Sequence, residues 1–354
     1  MKEAFDEYIV HSGGEAEEFL KEYFNNSETL LIGAVGFDPR APDVANKLSS
    51  AGSKLSAIFI KELRPLPQVK LESMANSNMQ QISDLLGHQL KTLNISIFAE
   101  DGAAVGGIKV VEAAAKWDLS SFKDIVVDIS AMSTGIYFPL IKFLRATLQN
   151  KYPSTSLHIL VSSHPGTDYR IRSNYDDQAR YMHGYGGRAK LVGRSDPIKL
   201  WLPQLVSGRK EVYERLHHFI APSDVCPVVP FLGKNPRRAE ELIFEYRDAL
   251  LDEWETDLKN VVLADESDPL DIYRTIRRVD GVRRRLFCPL NATMTIITPM
   301  GSKLSSVGSM LAAMDSELPV AYVESAGYAD DFKGIFGSNE QSTLVHVWVH
   351  GPVS

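Results

Sequence analysis

The sequence is poor in cysteine, in long apolar stretches and in positive charge, and each shortage excludes a class of protein. Two cysteines, Cys226 and Cys288, are too few for a disulfide framework or a structural zinc site, so we expect a reducing, cytoplasmic setting. No stretch approaches the ~18 apolar residues that span a membrane. The first residues form an acidic amphipathic pattern and not the basic start and apolar core of a signal peptide. The net charge of −7 argues against general binding to the backbone of DNA or RNA.

The remaining composition is that of an ordinary globular protein, since 44% of the residues are hydrophobic and 23% are charged. A chain of 354 residues is long enough for two domains. Short β-branched runs alternate with helix-like stretches along the whole chain, which is typical of α/β proteins. We therefore predict two Rossmann-like halves with doubly wound, mostly parallel sheets. They are residues 1–210, which open with a helix over 1–24, and residues 211–354.

Similar segments recur in the same order in both halves, which favours an internal duplication. Strands are expected at 29–35, 56–63, 95–101, 124–130 and 157–163 in the first half, and at 225–231, 260–266, 293–299 and 319–325 in the second. A proline–arginine pair follows the first strand of each half, and a small-residue turn follows a later strand. Each half then closes with a tryptophan-bearing strand, at 198–205 and 344–351. Ordinary α/β units also resemble one another at this level, so this alternative remains.

The loops after the first strands are candidate ligand sites, because ligands bind beyond the carboxyl ends of parallel strands. Gly36 permits a tight turn, and Arg40 suits a phosphate or a carboxylate. Alternatively, Asp38 caps the following helix and Arg40 pairs with Asp43 or another surface acid. The corresponding loop of the second half contributes Lys234, Asn235 and Arg237.

The small-residue turns give the clearest indication of phosphate binding. Gly301 allows close backbone approach, Ser302 offers a hydroxyl, and Lys303 adds charge at the start of a helix. The pattern GxxxxGK[ST] is absent, so nothing indicates ATP hydrolysis. A serine-capped helix with a solvated lysine is the alternative interpretation. The matching turn of the first half lacks the lysine and holds Ser130, Ser133, Thr134 and Gly135.

Four acid or base residues near strand ends are candidate catalytic groups if the protein is an enzyme, a question that the sequence leaves open. They are Asp128, His164, Asp168 and Glu324. Asp128 fits a loop-bracing role better than a catalytic one, and His164 fits a cap of the turn equally well. The pattern GxSxG does not occur, which argues against an α/β-hydrolase. No metal site and no cofactor are predicted.

These loops resemble those of the CRISPR-associated Rossmann-fold (CARF) sensor domains, including relatives built as a fused tandem pair. The matching positions are 36–40 and 233–237 for the first loop and 301–303 for the second, whereas 133–135 matches only in part. The likeness covers about two thirds of the chain. It implies binding of a cyclic oligonucleotide and a role in prokaryotic defence. Such sensors carry or recruit an effector, and no effector segment is recognisable in this sequence.

We weigh three functions. The first is a sensor that binds a nucleotide or another phosphorylated ligand at the strand-end loops of both halves and signals to a protein partner. The second is a hydrolase or transferase acting on a nucleotide or sugar phosphate. The third is an assembly subunit that binds a larger protein through its first helix and residues 207–224.

Overall fold

The computed structural model describes residues 8–65, 68–164, 168, 171–186, 197–231, 235–287, 293–329 and 342–352. The chain divides into two compact units. Unit 1 is Met1–Ser173 with Ala326–Ser354, and unit 2 is Asn174–Ser325. The predicted halves, 1–210 and 211–354, differ from these units at both boundaries. The last strand, which the sequence placed in the second half, returns to the sheet of unit 1, and the strand Ile198–Pro203, which the sequence placed in the first half, belongs to unit 2.

Unit 1 is built on a seven-stranded sheet in the order β1-β14-β6-β5-β2-β3-β4. Its strands are β1 (Ile9–Ser12), β2 (Glu28–Ala34), β3 (Lys54–Leu63), β4 (Leu90–Ser96), β5 (Asp124–Asp128), β6 (Ser156–Ser163) and β14 (Thr343–His350). Its helices are α1 (Gly14–Tyr23), α2 (Asp43–Ser50), α3 (Val69–Leu86), α4 (Gly106–Ala114) and α5 (Thr134–Lys151), with a short 3₁₀ turn at Gly87–Gln89. The strands β2 to β6 are parallel, and β14 and β1 extend the sheet as antiparallel strands. The predicted α/β class with a mostly parallel sheet is confirmed.

The core of unit 1 lies on both faces of this sheet, because successive side chains of a strand point to opposite faces. Leu31 and Val126 pack in one cluster with residues of α1, α2 and α3. Their chain neighbours Ile32 and Val127 are fully buried and lie outside that cluster. Such continuous apolar runs are expected of parallel strands covered by helices on both sides.

The predicted N-terminal helix over 1–24 is wrong in its first part within the described residues. Residues 9–12 form β1, which pairs with β14 between His11 and His346 among other positions, and α1 begins only at Gly14. Gly13 has a φ of 59°, which breaks the helical pattern at that point.

Unit 2 contains two small groups of parallel strands and a separate two-stranded pair. Its strands are β7 (Ser173–Tyr181, which begins at the last residue of unit 1), β8 (Ile198–Pro203), β9 (Asp224–Val225), β10 (Val228–Pro230), β11 (Val262–Ala264), β12 (Thr293–Thr298) and β13 (Ala321–Tyr328, which continues into unit 1). Its helices are α6 (Lys210–Ile220), α7 (Arg238–Glu245), α8 (Pro269–Leu286) and α9 (Lys303–Ser316), with a π-helical turn at Ala249–Glu253 and a 3₁₀ turn at Leu258–Asn260. Trp201, Tyr213 and Trp254 lie in its core.

The two units share one strand order. β12, β8 and β9 pair in that order and β10 pairs with β11, while parallel bridges join Gln204 to Val228 and Ile297 to Val320. The spatial order of these strands in unit 2 is therefore β13, β12, β8, β10 and β11. Counted along the chain, these are the fifth, fourth, first, second and third strands. The parallel strands of unit 1, β6-β5-β2-β3-β4, follow the same order. In this arrangement the partner of β2 is β8, whereas the sequence matched 29–35 with 225–231. The later matches, 124–130 with 293–299 and 157–163 with 319–325, agree with the strand order. The duplication itself stays a prediction, since this order is common in doubly wound sheets.

Candidate functional site in unit 1

The strand order of unit 1 reverses between β2 and β5, which are adjacent although β3 and β4 lie between them in sequence. Such a switch point is where open α/β sheets bind ligands, beyond the carboxyl ends of the strands. The loop 35–42 follows β2 and the loop 129–133 follows β5. Both loops hold residues that the sequence analysis selected.

The loop after β2 is organised by a buried ion pair. Asp38 accepts two hydrogen bonds from the guanidinium of Arg40, at 2.9 Å from Nε and 2.7 Å from Nη2. Arg40 Nη1 lies 2.8 Å from Asp168 Oδ1, and the Arg40 side chain is only 5% exposed. Asn78 on α3 holds the loop by donating to the carbonyls of Gly36 and Asp38. A buried guanidinium with two carboxylate partners is already compensated, so Arg40 offers little charge to a phosphate.

This arrangement matches neither sequence interpretation in full. Asp38 accepts from the backbone amide of Arg40, but the residue preceding α2 is Pro42, so Asp38 is not the N-cap of that helix. Arg40 pairs with acids, as the alternative stated, but these are Asp38 and Asp168, which are mostly buried and are not the expected surface acids. Although burial opposes the charge, these two carboxylates raise the pKa of Arg40 above its ordinary value.

The loop after β5 is braced by Asp128. Its Oδ1 accepts hydrogen bonds from the amide and the hydroxyl of Ser130, at 2.9 and 2.5 Å, and Ser130 Oγ in turn accepts from the amide of Ser162. Burial raises the pKa of Asp128 to about 7, with help from the nearby charges of Asp43 and Asp38 and against the hydrogen bonds from Ser130. The side chain is 1% exposed, which favours bracing over acid–base catalysis.

The N-terminus of α5 follows the loop after β5 and so lies at the switch point. Ser133 precedes the helix in an extended conformation, and its side chain makes no capping hydrogen bond. Its hydroxyl is buried and finds no hydrogen-bond partner among the described residues. Its amide donates to Glu62 Oε1 at 2.8 Å, and Glu62 Oε2 lies 2.8 Å from Arg64 Nη2. Thr134 and Gly135 form the first turn of the helix.

The other predicted catalytic residues do not assemble into one group in a single unit. His164 is buried at the end of β6, and its carbonyl accepts from the amide of Asp168. Asp168 Oδ1 binds Arg40, while Asp168 Oδ2 is buried without a partner among the described residues. Glu324 belongs to unit 2, where its carboxylate accepts from Tyr322 and from the amide of Ser325.

The predicted phosphate loop of unit 2 has the geometry of a capped helix. Ser302 is the N-cap of α9, and its side chain accepts from the amide of Ser305 and donates to the carbonyl of Glu266. A Cβ on Gly301 would lie 2.2 Å from Ser305 Oγ, so this glycine serves close packing. Lys303 is the half-exposed first residue of the helix.

The loop after β10 lies only partly within the described residues. Asn235 accepts from the amide of Arg237 and donates to Glu241, so it closes a local turn before α7. Arg237 is exposed, and Lys234 lies outside the described residues.

Sequence reasoning missed the charged residues that surround the start of α5. Glu62 and Arg64 lie at the end of β3, where Glu62 accepts from the Ser133 amide and pairs with Arg64. The only local signal was the position of Glu62 and Arg64 at a predicted strand end, in the segment FIKELRP. Within the described ranges, no group of three His, Cys, Asp or Glu side chains is placed to hold a metal ion, and no helix is long and apolar enough to cross a membrane.

Comparison with known proteins identifies no family. No family model and no curated protein matches the chain. Among solved structures, it is similar to a protein assigned as a universal stress protein from Pseudomonas aeruginosa UCBPP-PA14. The match covers 83% of this chain and 92% of that chain, at 11% identity and a TM-score of 0.22. At this level of similarity, the comparison supports no conclusion about fold or function.

Proposed function

We propose that unit 1 binds a nucleotide or another phosphorylated ligand at the start of α5, and that the protein acts as a ligand-binding regulator. The observation that carries the proposal is the Ser133 hydroxyl, which is buried at a switch point without a hydrogen-bond partner among the described residues. A buried polar atom of this kind costs free energy unless something pairs with it. A ligand oxygen is the partner proposed for it.

The surroundings of Ser133 suit an anion. α5 has 18 residues, and the N-terminus of a long helix carries partial positive charge. The Ser133 amide already holds one anionic oxygen, that of Glu62, which supports the view that a phosphate oxygen fits there. Arg64 pairs with Glu62 and its side chain is only 8% exposed, so it offers charge to a phosphate that displaces the Glu62 carboxylate. In this proposal Arg64 takes the role that the sequence gave to Arg40.

Titration calorimetry with the full chain tests the proposal. The panel holds inorganic phosphate, mononucleotides, dinucleotides, cyclic oligonucleotides and sugar phosphates. We expect Ser133→Ala to weaken binding of the active class by about tenfold, the effect of one charge-assisted hydrogen bond. We expect Glu62→Gln to strengthen it, because a neutral amide competes less well for the Ser133 amide.

Variants of unit 2 supply the control. Lys303→Ala and Arg237→Ala should leave the affinity unchanged. A ligand that is lost in Lys303→Ala and kept in Ser133→Ala would contradict the proposal and favour the loop of unit 2. A panel without any binding would favour the assembly role. If a ligand binds, hydrogen exchange of the free and the ligand-bound protein shows whether binding changes a surface that a partner protein could recognise.

A further inference from the structure

Three histidines form a continuous hydrogen-bonded chain at the other end of the unit 1 sheet. His11 Nδ1 lies 3.0 Å from His346 Nδ1, and His346 Nε2 lies 2.9 Å from His158 Nδ1. His158 Nε2 then lies 3.3 Å from Asp124 Oδ1. His158, His346 and Asp124 are fully buried, whereas His11 on the edge strand β1 is half-buried. The chain therefore leads from a partly accessible imidazole to a buried carboxylate.

Asp124 is held as an anion. Its Oδ1 accepts from the Tyr23 hydroxyl at 3.0 Å, and its Oδ2 accepts from Ser27. Although burial opposes the charge, the hydrogen bonds from His158 and Ser27 lower the pKa of Asp124 below its ordinary value. An ionised carboxylate only accepts, so His158 must donate from Nε2.

That donor role determines the tautomer of every imidazole. A neutral imidazole that donates from one nitrogen accepts at the other. His158 therefore accepts at Nδ1, so His346 donates from Nε2 and accepts at Nδ1. His11 must then donate from Nδ1, which leaves its Nε2 as the acceptor at the outer end of the chain.

We propose that His11, His346, His158 and Asp124 form a relay that binds one proton. The proton enters at Nε2 of His11. The Nδ1 proton of His11 moves to Nδ1 of His346, and the Nε2 proton of His346 moves to Nδ1 of His158. Each N–H bond that breaks is matched by one that forms. His11 and His346 end neutral in the opposite tautomer, and His158 becomes an imidazolium ion paired with Asp124.

The surroundings explain why the charge rests on His158. His346 lies between two other imidazoles, and burial together with those neighbours lowers the pKa of His346 well below its ordinary value. Among the described residues, His158 is the one imidazole of the three with a carboxylate contact, which offsets part of the lowering of its pKa by burial and by Lys123. The Lys123 ammonium lies over the Tyr23 ring at 5.0 Å. On β14, the next titratable group is His350, whose pKa is lowered by burial and by Arg145 on α5.

Aromatic rings enclose the relay and keep water from the inner imidazoles. Phe19 on α1 stacks on His11 and His346, with ring centroids 4.6 and 4.4 Å apart. Trp348 lies 5.0 Å from His158. Without water to carry protons, an interior imidazole exchanges them through its hydrogen-bonded neighbours. The aromatic faces also favour a cation at His158.

Nitrogen-detected NMR of the full chain with labelled histidine tests the relay between pH 8 and pH 5. At pH 8 we expect the proton on Nε2 of His158 and His346 and on Nδ1 of His11. As the pH falls, all three spectra should change with one shared midpoint, because the titration belongs to the set. His11 and His346 should exchange tautomers, and only His158 should become doubly protonated.

His346→Gln breaks the chain and should uncouple His11 from His158, which then show different midpoints. His350→Gln changes another histidine of the same strand outside the relay and should leave the shared midpoint in place. If His346→Gln does not fold, His11→Asn on the edge strand removes the entry point, and His158 should then stay neutral down to pH 5. Separate midpoints in the wild type, unchanged tautomers, or charge that rests on His11 would overturn the proposal.

Discussion

Replacing Arg40 by methionine should destabilise unit 1 strongly, because it leaves two carboxylates without their counter-ion. The side chains of Asp38 and Asp168 are 8% and 15% exposed. Removal of one partner from a buried ion pair costs about 3–5 kcal/mol, since the remaining charge stays buried. For a unit of this size, that corresponds to a fall in Tm of about 6–20 °C.

Hydrogen exchange followed by mass spectrometry suits this measurement, since the peptides of β2 and β5 report on unit 1 separately from unit 2. Arg237→Met is the matched control, because Arg237 is exposed and surface substitutions change stability by about 0.5 kcal/mol or less. Adding Asp38→Asn to Arg40→Met should restore part of the loss. The reasoning is refuted if Arg40→Met costs less than about 1 kcal/mol, the usual value of an exposed ion pair.

The pH dependence of the Arg40→Met variant follows from the same argument. Burial without a counter-ion raises the pKa of a carboxyl above its unfolded value. Such a group contributes stability that is present at low pH and is lost as the pH rises. The difference between the variant and the wild type should therefore shrink from pH 7.5 towards pH 5.

Three further variants and one control variant test separate features. Gly308→Ala should destabilise unit 2 by several kcal/mol in urea unfolding, because the new Cβ would lie 2.2 Å from the carbonyl oxygen of Pro269. As the control, Gly281→Ala on α8 places its Cβ in open space and should stabilise the protein by about 0.5–1 kcal/mol. Ser302→Ala should cost about 1 kcal/mol through loss of the N-cap of α9, and an unchanged urea midpoint would contradict that assignment. Asp128→Asn should gain stability relative to the wild type as the pH rises from about 4 to about 7. In the wild type, the raised pKa of Asp128 stabilises the folded state fully below the pKa of the unfolded chain, and this stabilisation is lost as the pH passes about 7.

The sequence predicted the inner strands of unit 1 well, because each is a short apolar run that needs burial on both faces. The expected strands at 124–130 and 157–163 correspond to β5 and β6. The N-cap at Ser302 was also recognised as an alternative, since a small polar residue before a helical pattern has a local physical meaning.

Contacts between distant residues had no local signal. Arg40 meets Asp168, which is 128 positions away, because β2 and β6 end at the same edge of the sheet. β14 joins the sheet of unit 1 after the whole of unit 2, and strand pairing at such separation is not encoded in either segment alone. β1 has four residues inside an amphipathic pattern, so its periodicity favoured a continuous helix. No local pattern indicated the group of three histidines, because its members lie on separate strands far apart in the chain: His11 on β1, His158 on β6 and His346 on β14.

The two ends of the unit 1 sheet respond to pH in opposite directions. At the carboxyl ends, Asp128 has a raised pKa, so its contribution to stability is lost as the pH rises through about 7. At the other end, burial is the main cause that lowers the pKa values of His158 and His346. Their contribution to stability is therefore present above the pKa of an unfolded histidine, near 6.5, and is lost as the pH falls below that value. The histidine window begins near pH 6.5 and extends downwards, so it overlaps the window of Asp128 below about pH 6.5. The opposing contributions offset each other there, so a flat stability profile of the wild type in this range would conceal two dependences of opposite sign.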